Sequence, residues 1–149
     1  MTEAESLSRS SSFVPRSDPL ASGSVYLVST SAETGVLVLT LSAPVTADYV
    51  IWCRVKAPDS SADSFYVSVD GGPEDVYDTA EGIWSPAWQW TPVNGRDGGR
   101  PLTLNPRLFH LTAGVHQITF RGREADSTLD QILITNDLEF DPRLEDPVQ

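Results

Sequence analysis

The chain is divided into short apolar segments of strand length, with turn-forming residues between them. Segments such as "GVLVLTL", "DYVIWCRVKA" and "SFYVSVD" are separated by turns such as "APDSSAD" and "DGGPED". No stretch sustains the 3.6-residue apolar period of an amphipathic helix. Eight segments, from "SVYLVS" to "LDQILITND", predict an all-β fold of the β-sandwich class.

Length and charge restrict the organisation and the partners. The 149 residues suit one core, so we expect one sandwich at residues 1–137 and an extended acidic tail at 138–149. The net charge of −11, with Lys56 as the only lysine, would repel nucleic acid and anionic membrane surfaces. The single cysteine, Cys53, lies in an apolar run and is expected to be buried and inert.

Alternation within strands predicts which side chains face the core. In "YVIWCRVK" and "SFYVSVD" one set is apolar and predicted to be core: Tyr49, Ile51, Cys53, Val55, Phe65, Val67 and Val69. The opposite set is aromatic and polar, and includes Trp52, Arg54 and Tyr66. This outward set is a possible binding face.

The segment "IWSPAWQW" holds three of the four tryptophans. Trp88 and Trp90 lie two apart on a predicted strand, whereas Trp84 precedes it, next to a proline-containing loop. We expect Trp90 to be packed and Trp84 to offer an exposed aromatic face, while Trp88 suits either role.

Several segments, in order along the chain, carry a resemblance to a known family. "EAES", "ASGSVYL", "ADYVIWCRVKAPDSSADSFYVSVDGG", "WQW", "LTAGVHQITFRGREADSTLD" and "QILITND" together resemble carbohydrate-binding modules of the family 6 and family 35 type. The resemblance implies a jelly-roll β-sandwich that binds glycans without catalysis, commonly with a structural calcium ion. One departure is "READST", which lacks the glycine that relatives usually have in this turn.

The start of the chain contains two acids with metal-binding potential. Glu3 and Glu5 lie two residues apart, so on a strand their carboxylates would share one side and repel each other unless a cation lay between them. They could equally be solvated terminal acids. The resemblance favours Ca²⁺ and implies that Asp130 joins the glutamates, with carbonyls from around Ser22 and Ser24 completing the set.

The sugar site implied by the resemblance would combine aromatic faces with polar side chains in loops. Around Trp84 the candidates are Tyr77, Trp88, Asn94, Arg96 and Asp97. A second possible site, on the outward strand face, comprises Trp52, Arg54 and Tyr66.

Catalysis has little support in the sequence. Glu124 and Asp126 are the best candidates for a glycosidase pair, but Glu124 fits the end of a strand better. His110 and His116 have neither metal-ligand spacing nor a neighbouring nucleophile. We therefore expect a non-catalytic module, either a solitary protein or one detached from a glycoside hydrolase or lyase.

The N-terminus "MTEAES" has no signal-peptide pattern and no enzyme is attached, which suggests a second hypothesis. The chain could be a decoration or attachment subunit of a virion or another surface assembly. Its terminal segments, "MTEAESLSRSSSFVPRSDP" and "LEFDPRLEDPVQ", could dock on a protein scaffold or form a homo-oligomer. Display in several copies would strengthen weak sugar binding, at an extracellular or surface location.

Overall fold

The protein is described by a computed structural model that covers residues 1–95 and 103–145. Within these residues the chain forms strands and three short 3-10 helices, Ala4–Ser6, Ser22–Ser24 and Pro142–Leu144. The strands are β1 Thr2–Glu3, β2 Ser8–Arg9, β3 Phe13–Ser17, β4 Val25–Ser29, β5 Val36–Ala43, β6 Ala47–Ala57, β7 Ser64–Val69, β8 Asp75–Asp78, β9 Ser85–Pro92, β10 Phe109–Leu111, β11 Gly114–Gly122, β12 Thr128–Leu129 and β13 Gln131–Thr135.

Two five-stranded antiparallel sheets form the main layers. The first has the order β1-β13-β6-β10, with β9 also paired to the long strand β6. The second has the order β2-β5-β11-β7-β8. A smaller sheet, β12-β4-β3, completes the fold. The predicted all-β sandwich is confirmed.

The core lies between the two main sheets and contains the residues that alternation predicted. Ile51, Cys53 and Val55 of β6 are at most 1% exposed, and Phe65 and Val67 of β7 are fully buried. Burial raises the pKa of the Cys53 thiol far above its usual range, which keeps the thiol protonated and unreactive. Strand β6 belongs to the first sheet and strand β7 to the second, so these buried side chains come from both layers of the sandwich.

Four strands, β1, β2, β3 and β8, lie outside the eight predicted segments. Strand β3, "FVPRS", contains Pro15 at its centre and has only two strand-forming apolar residues, Phe13 and Val14, so its sequence lacks a strand signal. It forms an edge of the small sheet, which is where a proline is tolerated because one side of an edge strand needs no ladder donors. Edge strands of this kind follow from tertiary pairing and not from local pattern.

Both terminal segments contact the chain's own first sheet. Thr2 and Glu3 pair with Ile132 and Gln131 of β13, and Pro142 near the other end is buried. Docking of these segments on a partner, and the boundary at residue 137, stay predictions. In the part of the chain that the structure describes, no helix is long and apolar enough to cross a membrane.

Candidate functional site

The outer face of the first sheet carries a small apolar cluster separate from the main core. Trp52 of β6 and Trp90 of β9 form it with Val50, and Leu133 packs against them. Trp52 and Trp90 are 5% and 3% exposed, which confirms the packed role of Trp90 and contradicts a sugar-stacking role for Trp52. The Arg143 guanidinium lies 5.1 Å from the centre of the Trp52 ring, so the C-terminal segment covers it.

Trp88 lies on the same outer face and is covered by the chain's own cations. The Lys56 ammonium lies 4.7 Å and the Arg54 guanidinium 5.6 Å from the centre of its ring. Its indole N–H donates to Asp18 at 3.1 Å, and Asp18 also pairs with Lys56. With 6% exposure, Trp88 is closed to a sugar, so its candidacy is not supported.

Tyr77 and Asn94 are also buried, and their side chains form hydrogen bonds with residues of other segments. The Tyr77 hydroxyl contacts Thr91 Oγ1 at 2.6 Å. The Asn94 side chain donates to the Asp78 carbonyl and accepts from the Asp78 amide, both at 2.9 Å. Neither side chain is exposed to a ligand, which corrects their predicted place in surface loops.

Trp52, Arg54 and Tyr66 do not form one site, because β6 and β7 belong to different sheets. Tyr66 lies on the outside of the second sheet, where the Arg121 guanidinium is 4.0 Å from its ring centre. Its hydroxyl donates to Glu33 at 3.1 Å. Alternation gives the face of a strand but not the sheet to which the strand belongs.

Trp84 is the exception among the four tryptophans, because its side chain is 56% exposed. It lies immediately before β9, and its indole N–H donates to the Asp63 carboxylate at 2.8 Å. The neighbouring Ile83 is 72% exposed. The predicted exposure of Trp84 is confirmed; its contact with a sugar stays a prediction.

The carboxylate that contacts this indole belongs to a group of three acids from different connections. Asp63 precedes β7, Asp78 ends β8 and Glu124 follows β11, so several strand ends meet here. Glu124 accepts from the Asp63 amide at 2.9 Å and from Arg123 at 3.3 Å. We call Asp63, Asp78, Trp84, Arg123 and Glu124 the Trp84 site.

The acids of the Trp84 site influence one another's protonation. Burial raises the pKa of Asp63 to about 6, opposed by the hydrogen bond from Trp84 and reinforced by the charges of Glu124 and Asp78. Burial also raises the pKa of Asp78. Near neutral pH the site is therefore negatively charged but can take up protons on mild acidification.

No sequence pattern assigns Asp63 a role, and the pattern around Glu124 indicates either a catalytic acid or a strand brace. The bracing role agrees with the hydrogen bond that the Asp63 amide donates to Glu124. Asp63 stands in an ordinary turn sequence, and only the fold brings it to Trp84. The other two loop candidates, Arg96 and Asp97, lie outside the described residues.

The turn "READST" is made without glycine because Asp126 has a φ of 68°. This left-handed conformation favours glycine but is tolerated by aspartate.

His116 has a structural role, since its Nδ1 lies 2.6 Å from Asp70 and its Nε2 lies 2.7 Å from the Thr112 carbonyl. His110 contacts Asp48 at 2.9 Å on the surface.

The predicted calcium residues gather where β1, the loop of Ser22 and the start of β13 meet. Glu3 accepts from Ser22 Oγ and from Gln131, each at 2.8 Å. Asp130 is fully buried, accepts from the Ser22 amide at 3.1 Å and pairs with Arg54. Burial raises the pKa of Asp130, while the Ser22 and Arg54 bonds oppose that shift.

Glu5 belongs to a 3-10 helix and not to the predicted strand, yet its carboxylate approaches the same loop. A Cβ atom at Gly23 would lie 3.8 Å from Glu5 Oε1. The Ser24 carbonyl accepts from the Asp18 amide at 3.1 Å. Glu3 and Glu5 therefore both approach one loop, and a shared role in binding a metal ion stays a prediction.

The fit to a metal ion is partial. Glu3 Oε2 and Glu5 Oε2 are buried atoms without a hydrogen-bond partner, which is a costly arrangement for carboxylates. Across residues 1–95 and 103–145, however, no group of three or more His, Cys, Asp or Glu side chains is arranged to hold a metal ion. The two orphaned oxygens suit a hard cation, whereas Asp130 already has Arg54 as its partner.

Comparison with solved structures identifies the fold. A family 35 carbohydrate-binding module from Clostridium thermocellum matches with a TM-score of 0.66 and 19% identity, over 90% of this chain and 96% of that one. The fold is that of family 35 carbohydrate-binding modules. The predicted resemblance is thus confirmed for the fold, although no protein-family model and no curated protein sequence matches the chain.

Two multidomain enzymes contain the same fold. An exo-β-1,3-galactanase from Phanerochaete chrysosporium, solved with galactose, matches with a TM-score of 0.68 and 20% identity over 90% of this chain. A β-(1,4)-mannanase from Podospora anserina that includes a family 35 module matches with a TM-score of 0.63 and 18% identity over 95%. The present chain covers 28% of the length of each enzyme.

Proposed function

We propose that the chain is a non-catalytic glycan-binding module, at an extracellular or surface-displayed location, in which a sugar ring stacks on Trp84. The observation that carries this proposal is the 56% exposure of the Trp84 indole on a family 35 fold whose other tryptophans are buried. The neighbouring Ile83 is 72% exposed as well, and adjoining exposed apolar side chains mark interaction surfaces more often than single ones do.

The fixed orientation of the indole supports stacking. The hydrogen bond to Asp63 at 2.8 Å restrains the Trp84 side chain before a ligand arrives, which lowers the ordering cost of binding. Covering about 100 Å² of apolar surface contributes roughly 2.5 kcal/mol, so weak micromolar to millimolar binding requires additional hydrogen bonds. The carboxylates of the Trp84 site are available acceptors for sugar hydroxyls.

A binding experiment on a panel of polysaccharides tests the proposal. The panel contains β-1,3-galactan and β-1,4-mannan, chosen from the names of the similar enzymes, together with a glucosamine oligomer and polygalacturonate. We expect saturable binding by at least one glycan and its loss in Trp84→Ala. Phe109→Leu, a core change distant in sequence, controls for general destabilisation. Absence of binding across the panel, or full binding by Trp84→Ala, would contradict the proposal.

We further propose a structural calcium ion near the N-terminus, held by Glu3 and Glu5. The support is the pair of buried, unpartnered oxygens, Glu3 Oε2 and Glu5 Oε2, beside the Ser22–Ser24 turn. An ion there would neutralise two acids and tie β1 to the loop. Asp130 and the carbonyls of Ser22 and Ser24 are the further ligands that the resemblance implies.

Thermal denaturation tests for calcium, because a ligand bound only by the native state raises its melting temperature by mass action. We expect a chelator to lower the melting temperature and added Ca²⁺ to restore it. Glu5→Gln should remove the response, whereas Glu139→Gln, an exposed acid elsewhere, should keep it. Identical melting curves with chelator and with Ca²⁺ would eliminate the site.

A further inference from the structure

We infer that the Trp84 site selects neutral or amino sugars and rejects uronic acids, with Glu124 as a specificity-determining residue and Asp63 as a positioning residue. This inference rests on the proposed function, since it concerns the ligand of the same site. It follows from the charges around the indole and from the way the nearby cation is held.

The Trp84 site contains three carboxylates, one of which contacts the exposed indole and two of which are linked to that first acid. Asp63 touches the indole directly through the 2.8 Å hydrogen bond. Glu124 lies beside Asp63, bonded to its amide at 2.9 Å, and the charge of Asp78 also reaches Asp63. Any ligand that stacks on Trp84 therefore approaches a negatively charged surface.

The guanidinium of Arg123 is already engaged in this region. It donates to Ser64 Oγ at 2.7 Å and to Glu124 at 3.3 Å, and it lies 5.8 Å from the Tyr66 ring centre. Both of these bonds are made by Nη1, so a uronate would have to share the charge of this arginine with Glu124. The net charge of −11 adds a repulsive field over the whole surface.

The same carboxylates favour other sugars. Hydroxyl groups of a neutral ring donate hydrogen bonds to carboxylate oxygens, and these charge-assisted bonds are stronger than neutral ones. A protonated amino sugar gains an additional Coulomb attraction, whereas a uronate meets repulsion of similar size. The expected order of affinity is amino sugar, then neutral sugar, then uronic acid.

Asp63 acts on the ligand through Trp84, because its bond holds the indole in place. In Asp63→Asn the amide oxygen can still accept from the indole, whereas in Asp63→Ala the indole loses this restraint. We expect Asp63→Ala to weaken every ligand by a similar factor and Asp63→Asn to retain binding. Equal loss of binding in both variants, with both variants folded at the temperature of the measurement, would overturn the positioning role.

Titration of the full chain with a glucosamine oligomer, a neutral galactan and oligogalacturonate at near-neutral pH tests the selectivity. Glu124→Gln keeps the shape but removes one charge, so it should lower the amino-sugar to uronate affinity ratio by about tenfold. Glu139→Gln is the matched charge-removal control on the exposed tail. Far-ultraviolet circular dichroism verifies that each variant is folded.

The outcomes separate the two proposals. Strong uronate binding that requires Trp84 would overturn the selectivity and leave the glycan-binding function standing. Binding that persists in Trp84→Ala would overturn the inference, because the ligand would then occupy another surface. Failure of all three ligands, with the rest of the glycan panel also negative, would remove the proposed function and the inference together.

Discussion

Two groups of tryptophans in this chain differ in the charges that face them. On the outer face of the first sheet, Arg143 lies over Trp52, and both Lys56 and Arg54 lie over Trp88. At the strand ends, the indole N–H of Trp84 donates to the Asp63 carboxylate and the side chain is 56% exposed. An aromatic face covered by an internal cation is lost to a ligand, whereas one held at its edge by an acid remains available.

The comparison shows that aromatic content alone does not locate a binding surface. The covered face contains three tryptophans and the Trp84 site one, but on the covered face arginines and a lysine lie over two of the rings, where a sugar would have to stack. Asp18 strengthens this closure, because it pairs with Lys56 and accepts from the Trp88 indole. The hydrogen bond with Lys56 lowers the pKa of Asp18, so the pair remains charged in mild acid.

The largest expected effect comes from removing the packed tryptophan. Trp90→Ala should reduce the free energy of unfolding by about 4 kcal/mol, because a buried aromatic is replaced by a cavity. Trp84→Ala should change it by less than about 0.5 kcal/mol, since the ring is exposed. Urea denaturation measures both values. Similar losses in the two variants would break the distinction between the two groups.

The next effect concerns the cation that covers Trp88. Arg54→Met should cost about 3 kcal/mol, because it leaves the buried Asp130 carboxylate without its salt-bridge partner. The Ser22 amide still bonds Asp130, which limits the loss. In the double variant Arg54→Met with Asp130→Asn part of the stability should return. Strict additivity in chemical denaturation would argue against a coupled pair.

A smaller effect is expected at the acid that holds Trp84. The folded pKa of Asp63, about 6, lies above its ordinary value of 3.8, so the folded state binds the proton more tightly. The benefit of protonation is complete below pH 4 and is lost as the pH rises through about 6. Asp63→Asn should thus be about 1 kcal/mol more stable than the parent at pH 7, after allowance for solvent screening.

Melting curves from pH 4 to pH 7 measure this difference. The variant and the parent should coincide at pH 4 and separate as the pH rises. Asp59→Asn, a change at an exposed acid in the same loop, serves as the control and should not reproduce the separation. Parallel curves for Asp63→Asn and the parent would contradict the raised pKa.

The smallest expected effect is on tryptophan fluorescence and does not depend on a change in stability. Caesium ions should quench tryptophan fluorescence more strongly than iodide ions, because the exposed indole contacts Asp63 and belongs to a site with three acids and one arginine. Trp84→Phe should remove most of the quenching by both ions, since the other three tryptophans are at most 6% exposed. Stronger quenching by iodide would mean that the local field is not negative.

The fold was largely predictable because strand alternation is a local signal. The core positions Ile51, Cys53 and Val55 follow directly from period-two patterning, and the order of the motifs pointed to the jelly-roll class. Trp84 and Trp90 were separable for the same reason, since one lies in a loop and the other within a strand. Strand β8 was missed because its four residues follow a strong turn signal.

The candidate site was less predictable because it depends on contacts between distant segments. Trp88 is covered through contacts with Asp18 and Lys56. The hydrogen bond between Trp88 and Asp18 joins residues 70 positions apart, and the pair of Lys56 with Asp18 joins residues 38 positions apart. The role of Asp63 requires four strand ends to meet, and no local pattern encodes that meeting. The prediction that Tyr77 contacts a sugar was wrong, because a tyrosine next to turn residues suits a surface site as well as a core. In the structure its hydroxyl is buried and forms a hydrogen bond with Thr91.

The pairing of β1 with β13 also determines how the domain would respond to mechanical load. Met1 and Glu145 line the same small cavity, so both ends of the described chain emerge from one side of the first sheet. Because Thr2 lies opposite Ile132 in an antiparallel register, tension between the ends would peel β1 away one bond at a time instead of shearing it. Glu3 and its contacts to Ser22 and Gln131 would then be disturbed before the core, so the N-terminal acid region would yield first under force.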